Sequence, residues 1–392
     1  MKTLLYLLFA LIFLSSCSKN VYSLNEKTIK FKYDGHLKVK LKPENYDKGN
    51  FYFDTGSAWL VFVDHYYEKQ KMSFENTYNS EMGGGIGNKT SKVIRISDTI
   101  NFEIDNHHFY SEFSIVNYFT QKTPNDLDGI VGFHNFRNTP FKIDYVNQKI
   151  TLNPKMSNEY QEMAIKFDGY AMLLPMEVML PNGKIIQGDF IIDTGSRSTT
   201  LTSQFINNND IKIVNKVNYE SIGGAGGKSD GSIFFVPQIK IDKYNLSNRL
   251  IEISKDTLGA LSSNENYIGI IGNDILDDFD IIYHPTEYRI WIKPNKMFED
   301  LTEDLFKAFS VIEIGNRDKG WFIKEIYEES DAFKQGLRYN DEIVEINNKS
   351  VHKLNRENFI SKLKPNQKLK LKIKRSNEYL DIDTYLNVFL KK

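Results

Sequence analysis

The triplet Asp-Thr-Gly occurs twice in this chain, as Asp54-Thr55-Gly56 and Asp193-Thr194-Gly195, each time after an apolar run and before a serine, Ser57 and Ser196. Two carboxylates held close together cannot both ionise cheaply. They share a proton and titrate as a pair, and such a pair can serve one water as general base and general acid. Glycine after Asp-Thr permits a tight turn and close backbone approach, so two such loops can meet with their carboxyls side by side. This chemistry calls for no metal and no cofactor, and none is expected.

The elements that must position the two aspartates repeat as well. The triplets lie 139 residues apart. A glycine cluster, Gly83-Gly84-Gly85-Ile86-Gly87, begins 29 residues after Asp54, and another, Gly223-Gly224-Ala225-Gly226-Gly227, begins 30 after Asp193. Asp128-Gly129-Ile130-Val131-Gly132 answers Ile268-Gly269-Ile270-Ile271-Gly272, and Phe141-Lys142-Ile143-Asp144-Tyr145 answers Phe279-Asp280-Ile281-Ile282-Tyr283. Two copies of one β lobe are therefore expected, at residues 27–160 and 161–296, related by a pseudo-twofold axis.

These motifs resemble the aspartic peptidases of the retropepsin-like and pepsin-like superfamily, in the form of two retropepsin-like lobes fused in one chain. The resemblance covers roughly two thirds of the sequence. It implies that Asp54 and Asp193 are catalytic, that Thr55 and Thr194 hydrogen-bond across the dyad, and that the hydroxyls of Ser57 and Ser196 reach the outer carboxylate oxygens. Hydrogen bonds to the charged form lower a carboxyl pKa, so an acid-side optimum is expected. No Gly-Lys-Ser/Thr follows either glycine cluster at the spacing of a phosphate loop, and Gly83 to Gly87 lacks the spacing of a dinucleotide fingerprint. They read as tips of mobile β-hairpin flaps that close over an extended substrate. The tyrosine of pepsin-type flaps is missing between Gly83 and Val93, with Tyr78 the nearest.

At the start, Met1-Lys2-Thr3 precedes an apolar run from Leu4 to Leu14, too short to span a bilayer comfortably. Leu14-Ser15-Ser16-Cys17 follows and looks like a bacterial lipobox; Cys17 is the only cysteine of the chain. The expectation is a lipoprotein signal segment at 1–17, lipidation of Cys17, a polar tether at 18–26 and attachment to the membrane in the cell envelope of a Gram-negative-type bacterium. With no cysteine left for a disulfide, the fold must rest on its core, and 41% hydrophobic residues supply one. A formal net charge of −1 gives no sign of a nucleic-acid partner.

Residues 305–392 change character. Gly320-Trp321-Phe322-Ile323, Ser330-Asp331-Ala332-Phe333-Lys334-Gln335-Gly336-Leu337 and Asp341-Glu342-Ile343-Val344-Glu345-Ile346-Asn347 resemble a bacterial-type PDZ domain, a small α+β unit. Asn340 and Asn348 stand where that pattern has glycine, and asparagine tolerates the positive φ required there. The resemblance implies a groove that binds an extended C-terminal peptide, although the nearest candidate for a carboxylate loop, Ala308-Phe309-Ser310-Val311, has no glycine. Lys362 to Lys374 alternates lysine with apolar residues and reads as a strand with one solvated face, or as a basic patch facing a membrane.

His107-His108 lacks the partners of a metal site, and the acidic run Asp274, Asp277, Asp278 and Asp280 reads as a polar turn, with Ca²⁺ binding as the alternative. The whole is read as a mainly β, monomeric, membrane-anchored aspartic endopeptidase acting on peptides or proteins, with a PDZ-like domain that docks them. The alternative is a catalytically silent peptide-binding scaffold.

Overall fold

The computed structural model describes residues 27–82, 85–119, 123–124, 126–262, 265–298, 309–314 and 320–390. The signal segment 1–17 with Cys17, the tether 18–26, Gly83 and Gly84 of the first glycine cluster, and Ala308 lie outside the described residues.

The chain is mainly β, and its strands follow the period-2 alternation that buries one face. Leu37–Pro43 shows it plainly: Leu37, Val39 and Leu41 point inward while Lys40 and Lys42 are exposed. In lobe 1 the strand Gly49–Asp54, which delivers the first aspartate, runs parallel to Gly129–Gly132, with Gly132 opposite Asp54. Leu60–Val63 pairs antiparallel with that same Gly129–Gly132 strand. Lobe 2 repeats the arrangement. Ile185–Ile192 runs parallel to Gly269–Ile271, and Thr200–Leu201 pairs antiparallel with the latter. In each lobe one strand thus enters between the strands on either side of an Asp-Thr-Gly loop and fixes that loop's base.

The lobes join through a shared sheet in which each contributes three strands, in the order Lys27–Lys30, Lys149–Leu152, Phe141–Asp144, Phe279–His284, Arg289–Pro294, Gln161–Ala164. Its central pair crosses the pseudo-twofold axis, with Phe141 opposite Tyr283 and Ile143 opposite Ile281. Aromatic packing ties this seam to the strand that delivers Asp54. Phe53, beside Asp54, lies 4.9 Å from Phe136 and 5.5 Å from Phe141, and Phe141 stacks on Tyr283 at 4.8 Å, all between ring centroids. Phe53, Phe136, Phe141 and Tyr283 are fully buried. Emptying one such site typically costs about 3–5 kcal/mol.

The C-terminal domain has its own core, built on Trp321, Ile323, Leu337, Ile343, Leu371 and Ile373. Ser330 caps its first helix, Asp331–Lys334, by accepting the Phe333 N–H. Asn340 and Asn348 have φ of 68° and 61°. Arg375 forks onto Asp341 through Nε at 2.6 Å and Nη2 at 2.7 Å, holding the turn before Glu342–Ile346. In Lys368–Arg375 the leucines and Ile373 point inward while Lys368 and Lys370 are exposed. Lys370 and Lys372 stand opposite Asp383 and Asp381 of Glu378–Tyr385, so the lysine row faces acids of its own sheet.

This domain does not hang free. Its strand Gly320–Tyr327 pairs antiparallel with Val217–Ile222 of lobe 2, placing Tyr219 opposite Tyr327 and Ser221 opposite Glu325, and one sheet runs from lobe 2 into the domain.

Candidate active site

The two Asp-Thr-Gly loops meet on the pseudo-twofold axis and are braced by four reciprocal hydrogen bonds. The Thr55 N–H donates to Thr194 Oγ1 and the Thr194 N–H to Thr55 Oγ1, both at 3.0 Å. The Thr55 hydroxyl donates to the Ile192 carbonyl at 2.7 Å, and the Thr194 hydroxyl to the Phe53 carbonyl at 2.8 Å. Both threonines are fully buried. Asn273 supports the second loop from behind, giving its amide to the carbonyls of Thr194 (2.8 Å) and Gly35 (3.0 Å), while the Tyr145 hydroxyl donates to its Oδ1.

The brace brings the carboxyls of Asp54 and Asp193 into hydrogen-bond contact with each other. Glycine is required on both loops: a Cβ on Gly56 would run into the Asp193 carboxyl, and one on Gly195 into that of Asp54. Asp54 Oδ1 accepts the N–H groups of Gly56 (2.9 Å) and Ser57 (3.0 Å), and Asp193 Oδ1 accepts those of Gly195 (2.8 Å) and Ser196 (3.1 Å). Burial raises the pKa of both carboxyls. Asp193 is pushed well above the usual carboxylate range, by burial first and then by the charge of Asp54. The pair therefore keeps one proton over a wide pH span, with one member ionised and one neutral.

The serine hydroxyls do not do what the resemblance implied. Ser196 Oγ donates to the Ser198 carbonyl at 2.8 Å, closing a turn within its own loop. The Ser57 hydroxyl makes no hydrogen bond among the described residues. Ser57 and Ser196 reach the carboxylates with their backbone N–H groups instead, a contact that any residue but proline supplies.

Gly85, Ile86 and Gly87 of the first glycine cluster, and the whole of the second, lie at the tips of two hairpins, Thr77–Met82 with Ser91–Ile96 and Val217–Ile222 with Lys228–Ile241. The tips meet. The Gly226 N–H donates to the Ile86 carbonyl at 3.0 Å, and the Lys89 N–H returns to the Gly226 carbonyl at 2.8 Å. Gly85 accepts the Ala260 N–H at 3.0 Å, and the backbone of Gly223 closes on Gly227 at 2.8 Å. Gly224 and Ala225 complete the second tip, beside Ile86 and Gly85. A buried carboxylate latches the first tip. Asp256 Oδ2 accepts the Gly87 N–H at 2.9 Å and its Oδ1 accepts Asn88 Nδ2 at 2.8 Å, with Ser229 donating from the other side. Tyr78 is exposed, out on the strand of the hairpin.

Apart from one asymmetry, nothing in the sequence singles out Asp256, Asn273, His36 or Arg197. His36 stacks on Tyr52 at 4.5 Å between ring centroids. Burial, then Arg197, hold its pKa well below that of a free imidazole, so it stays neutral and its Nδ1 accepts the Arg197 Nε–H at 3.2 Å. The one signal available was asymmetry: Arg197 follows the second motif serine where Ala58 follows the first.

The acidic run disperses. Asp274 accepts the Thr199 hydroxyl at 2.7 Å, Asp277 the Tyr33 hydroxyl at 2.7 Å, Asp278 the Arg249 guanidinium at 2.6 Å, and Asp280 lies 3.1 Å from the Lys142 ammonium. Four different partners from four parts of the chain pull these carboxylates apart, and no calcium cage results. His107 and His108 sit on an edge strand, His107 against the Thr28 carbonyl and His108 beside Glu103.

A profile of the PDZ domain matches residues 311–386, and the C-terminal unit is a PDZ domain. Among solved structures, the chain is similar to the aspartic proteinase of Irpex lacteus at 11% identity and a TM-score of 0.45, over 69% of this chain and 98% of that one. No curated protein matches the sequence.

Proposed function

We propose that this protein is an aspartic-type endopeptidase, tethered to the cell envelope by lipidation of Cys17, whose PDZ domain docks protein substrates beside the cleft. The observation that carries the reading is the braced pair of Asp-Thr-Gly loops, which sets two buried carboxyls side by side, each raised in pKa by burial. A water held by the pair gives its proton to Asp54 as its oxygen attacks the peptide carbonyl carbon, while Asp193 gives its own proton to the carbonyl oxygen. Collapse of the tetrahedral diol then passes a proton to the amide nitrogen and breaks the C–N bond. The flap tips, joined through Ile86 and Gly226, cover the cleft and exclude bulk water.

The test is to incubate the soluble part with a peptide library across pH, with and without pepstatin, beside the Asp54→Asn and Asp193→Asn variants. Each single variant is expected to abolish turnover and stay folded, since each removes a carboxyl the other needs. Near wild-type turnover in either would end the single-dyad mechanism. A wild-type protein that binds these peptides without cutting them would leave the scaffold reading.

A further inference from the structure

The hairpin of Ile100–Ile104 with His107–Ser111 ends the lobe 1 sheet, and among the described residues no strand pairs with its outer edge. Its turn decides which backbone groups are spare. Ile104 stands opposite His107 across a two-residue loop in which Asp105 and Asn106 have φ of 46° and 66°, the primed hairpin turn that closes on a hydrogen-bonded pair. Bonded and non-bonded pairs alternate along an antiparallel ladder. His107, Phe109 and Ser111 therefore turn their backbone groups inward to Ile104, Phe102 and Ile100, while the N–H and C=O groups of His108 and Tyr110 face away from the sheet. Among the described residues nothing outside the sheet takes them up.

This edge is one wall of a cavity of about 460 Å³, a volume within the range of ligand sites. The facing wall is the segment from His134 to Thr139, and the two are joined where Phe109 packs on Phe136 at 5.0 Å between ring centroids. His107 Nε2 lies 3.2 Å from the Thr28 carbonyl, which brings the start of Lys27–Lys30 into the lining. Tyr110 and Phe113, 53% and 58% exposed, stand on the rim. Unused polar groups line the same space: the side-chain amides of Asn138 and Asn153 and the Lys27 ammonium make no hydrogen bond among the described residues. Arg137 and Glu112 neutralise each other at 3.0 Å, and Lys27 is left as the unpaired charge of the lining.

We propose that this groove on lobe 1 is a peptide-binding site of its own, taking an extended polypeptide segment that carries an acidic side chain. The segment adds as a strand to the outer edge of His107–Ser111, bonded to the N–H and C=O groups of His108 and Tyr110, and sets its carboxylate on Lys27. The spare edge points to polypeptide, because a second backbone offers donors and acceptors at the matching spacing. The unpaired ammonium points to a carboxylate on that segment. The site stands apart from the PDZ domain and does not rest on the peptidase reading.

The test uses the protein carrying Asp54→Asn, so that nothing is cut, and three labelled peptides of equal length read by fluorescence anisotropy. One alternates threonine with glutamate, one has glutamine for glutamate, and one is the acidic peptide with N-methyl groups on alternate amides. The first should bind about tenfold more tightly than either of the others. It should also slow exchange of the His108 and Tyr110 amides about tenfold. Tyr110→Pro removes an outward N–H without touching a ladder bond, a change that edge strands tolerate, and should abolish this binding, while Tyr110→Phe should keep it. Lys27→Gln, at an exposed position, should bring the glutamate and glutamine peptides to parity, and it keeps the test decisive should the proline variant fail to fold. No binding, a first peptide no tighter than either of the others, binding that leaves the two amides exchanging freely, binding that survives Tyr110→Pro, or a glutamate preference that survives Lys27→Gln overturns the site. Amides already protected with no peptide present would mean that a second copy or the residues before Lys27 hold the edge, and would overturn it as well.

Discussion

Replacing Thr55 with valine keeps the shape of the side chain and removes one oxygen. That oxygen accepts the Thr194 N–H at 3.0 Å and donates to the Ile192 carbonyl at 2.7 Å, in a place where both threonines are fully buried. Water does not reach the orphaned groups, and each costs about 1–3 kcal/mol unpaired, so the expected loss is about 2–6 kcal/mol. Against a typical total of about 5–15 kcal/mol, that is a large fraction of stability. Thr194→Val should lose a similar amount, because its oxygen serves the Thr55 N–H and the Phe53 carbonyl in the same way. The two changes share one network, so their effects should not add. Urea unfolding of both variants, the double variant and Thr55→Ser measures this, with an unchanged m-value as the check that only stability moved. Thr55→Ser keeps the hydroxyl and should stay near wild type. A loss below about 0.5 kcal/mol for Thr55→Val, the range of an ordinary surface change, would refute the brace as the element that holds the lobes in register.

Exchanging Ser57 and Ser196 together for alanine should leave the alkaline limb of kcat/KM in place, because backbone N–H groups and not hydroxyls reach the carboxylates. That limb should lie above the ordinary carboxyl range, since burial and then Asp54 raise Asp193; a profile from about pH 3 to pH 8 tests both points. Glu252, pushed up to about 7 by burial and then by Glu325 of the PDZ domain, holds a proton in the folded state that the unfolded chain releases near 4.5. Its contribution to stability is therefore greatest at low pH and is lost as pH rises from about 4.5 through 7. Glu252→Gln should raise the thermal midpoint at pH 8 and flatten that slope, and an unchanged slope would place the titration elsewhere. Asp256→Ala removes the latch of the first flap, so exchange of the Gly87 amide should quicken while the Thr55 and Thr194 amides stay protected.

What was legible in the sequence was whatever repeats. The triplets, the Gly129–Gly132 and Gly269–Ile271 strands and the hairpin tips recur at matching spacing because each lobe needs the same parts to present one aspartate. Asn340 and Asn348 were legible for another reason, since few residues accept a positive φ. Partners chosen by the fold left no such trace. Asp256 meets Gly87 across 169 residues, and Asn273 meets Gly35 across 238. The serine hydroxyls went astray because the turn offered Ser196 a nearer acceptor, the Ser198 carbonyl.

The two flaps begin as copies and end in different circumstances. Thr77–Met82 pairs with Ser91–Ile96 on one edge and, among the described residues, with nothing on the other; its tip is held by hydrogen bonds to Asp256, Thr257, Gly226 and Ala260. Val217–Ile222 pairs on both edges, with Lys228–Ile241 and with the PDZ strand Gly320–Tyr327. Lifting the second hairpin means breaking that ladder and parting Tyr219 from Tyr327, whose rings pack edge to face at 6.4 Å. Lifting the first means releasing a few hydrogen bonds at its tip. Of the two hairpins the first is therefore the easier to lift, while the second is tied into one sheet with the PDZ domain.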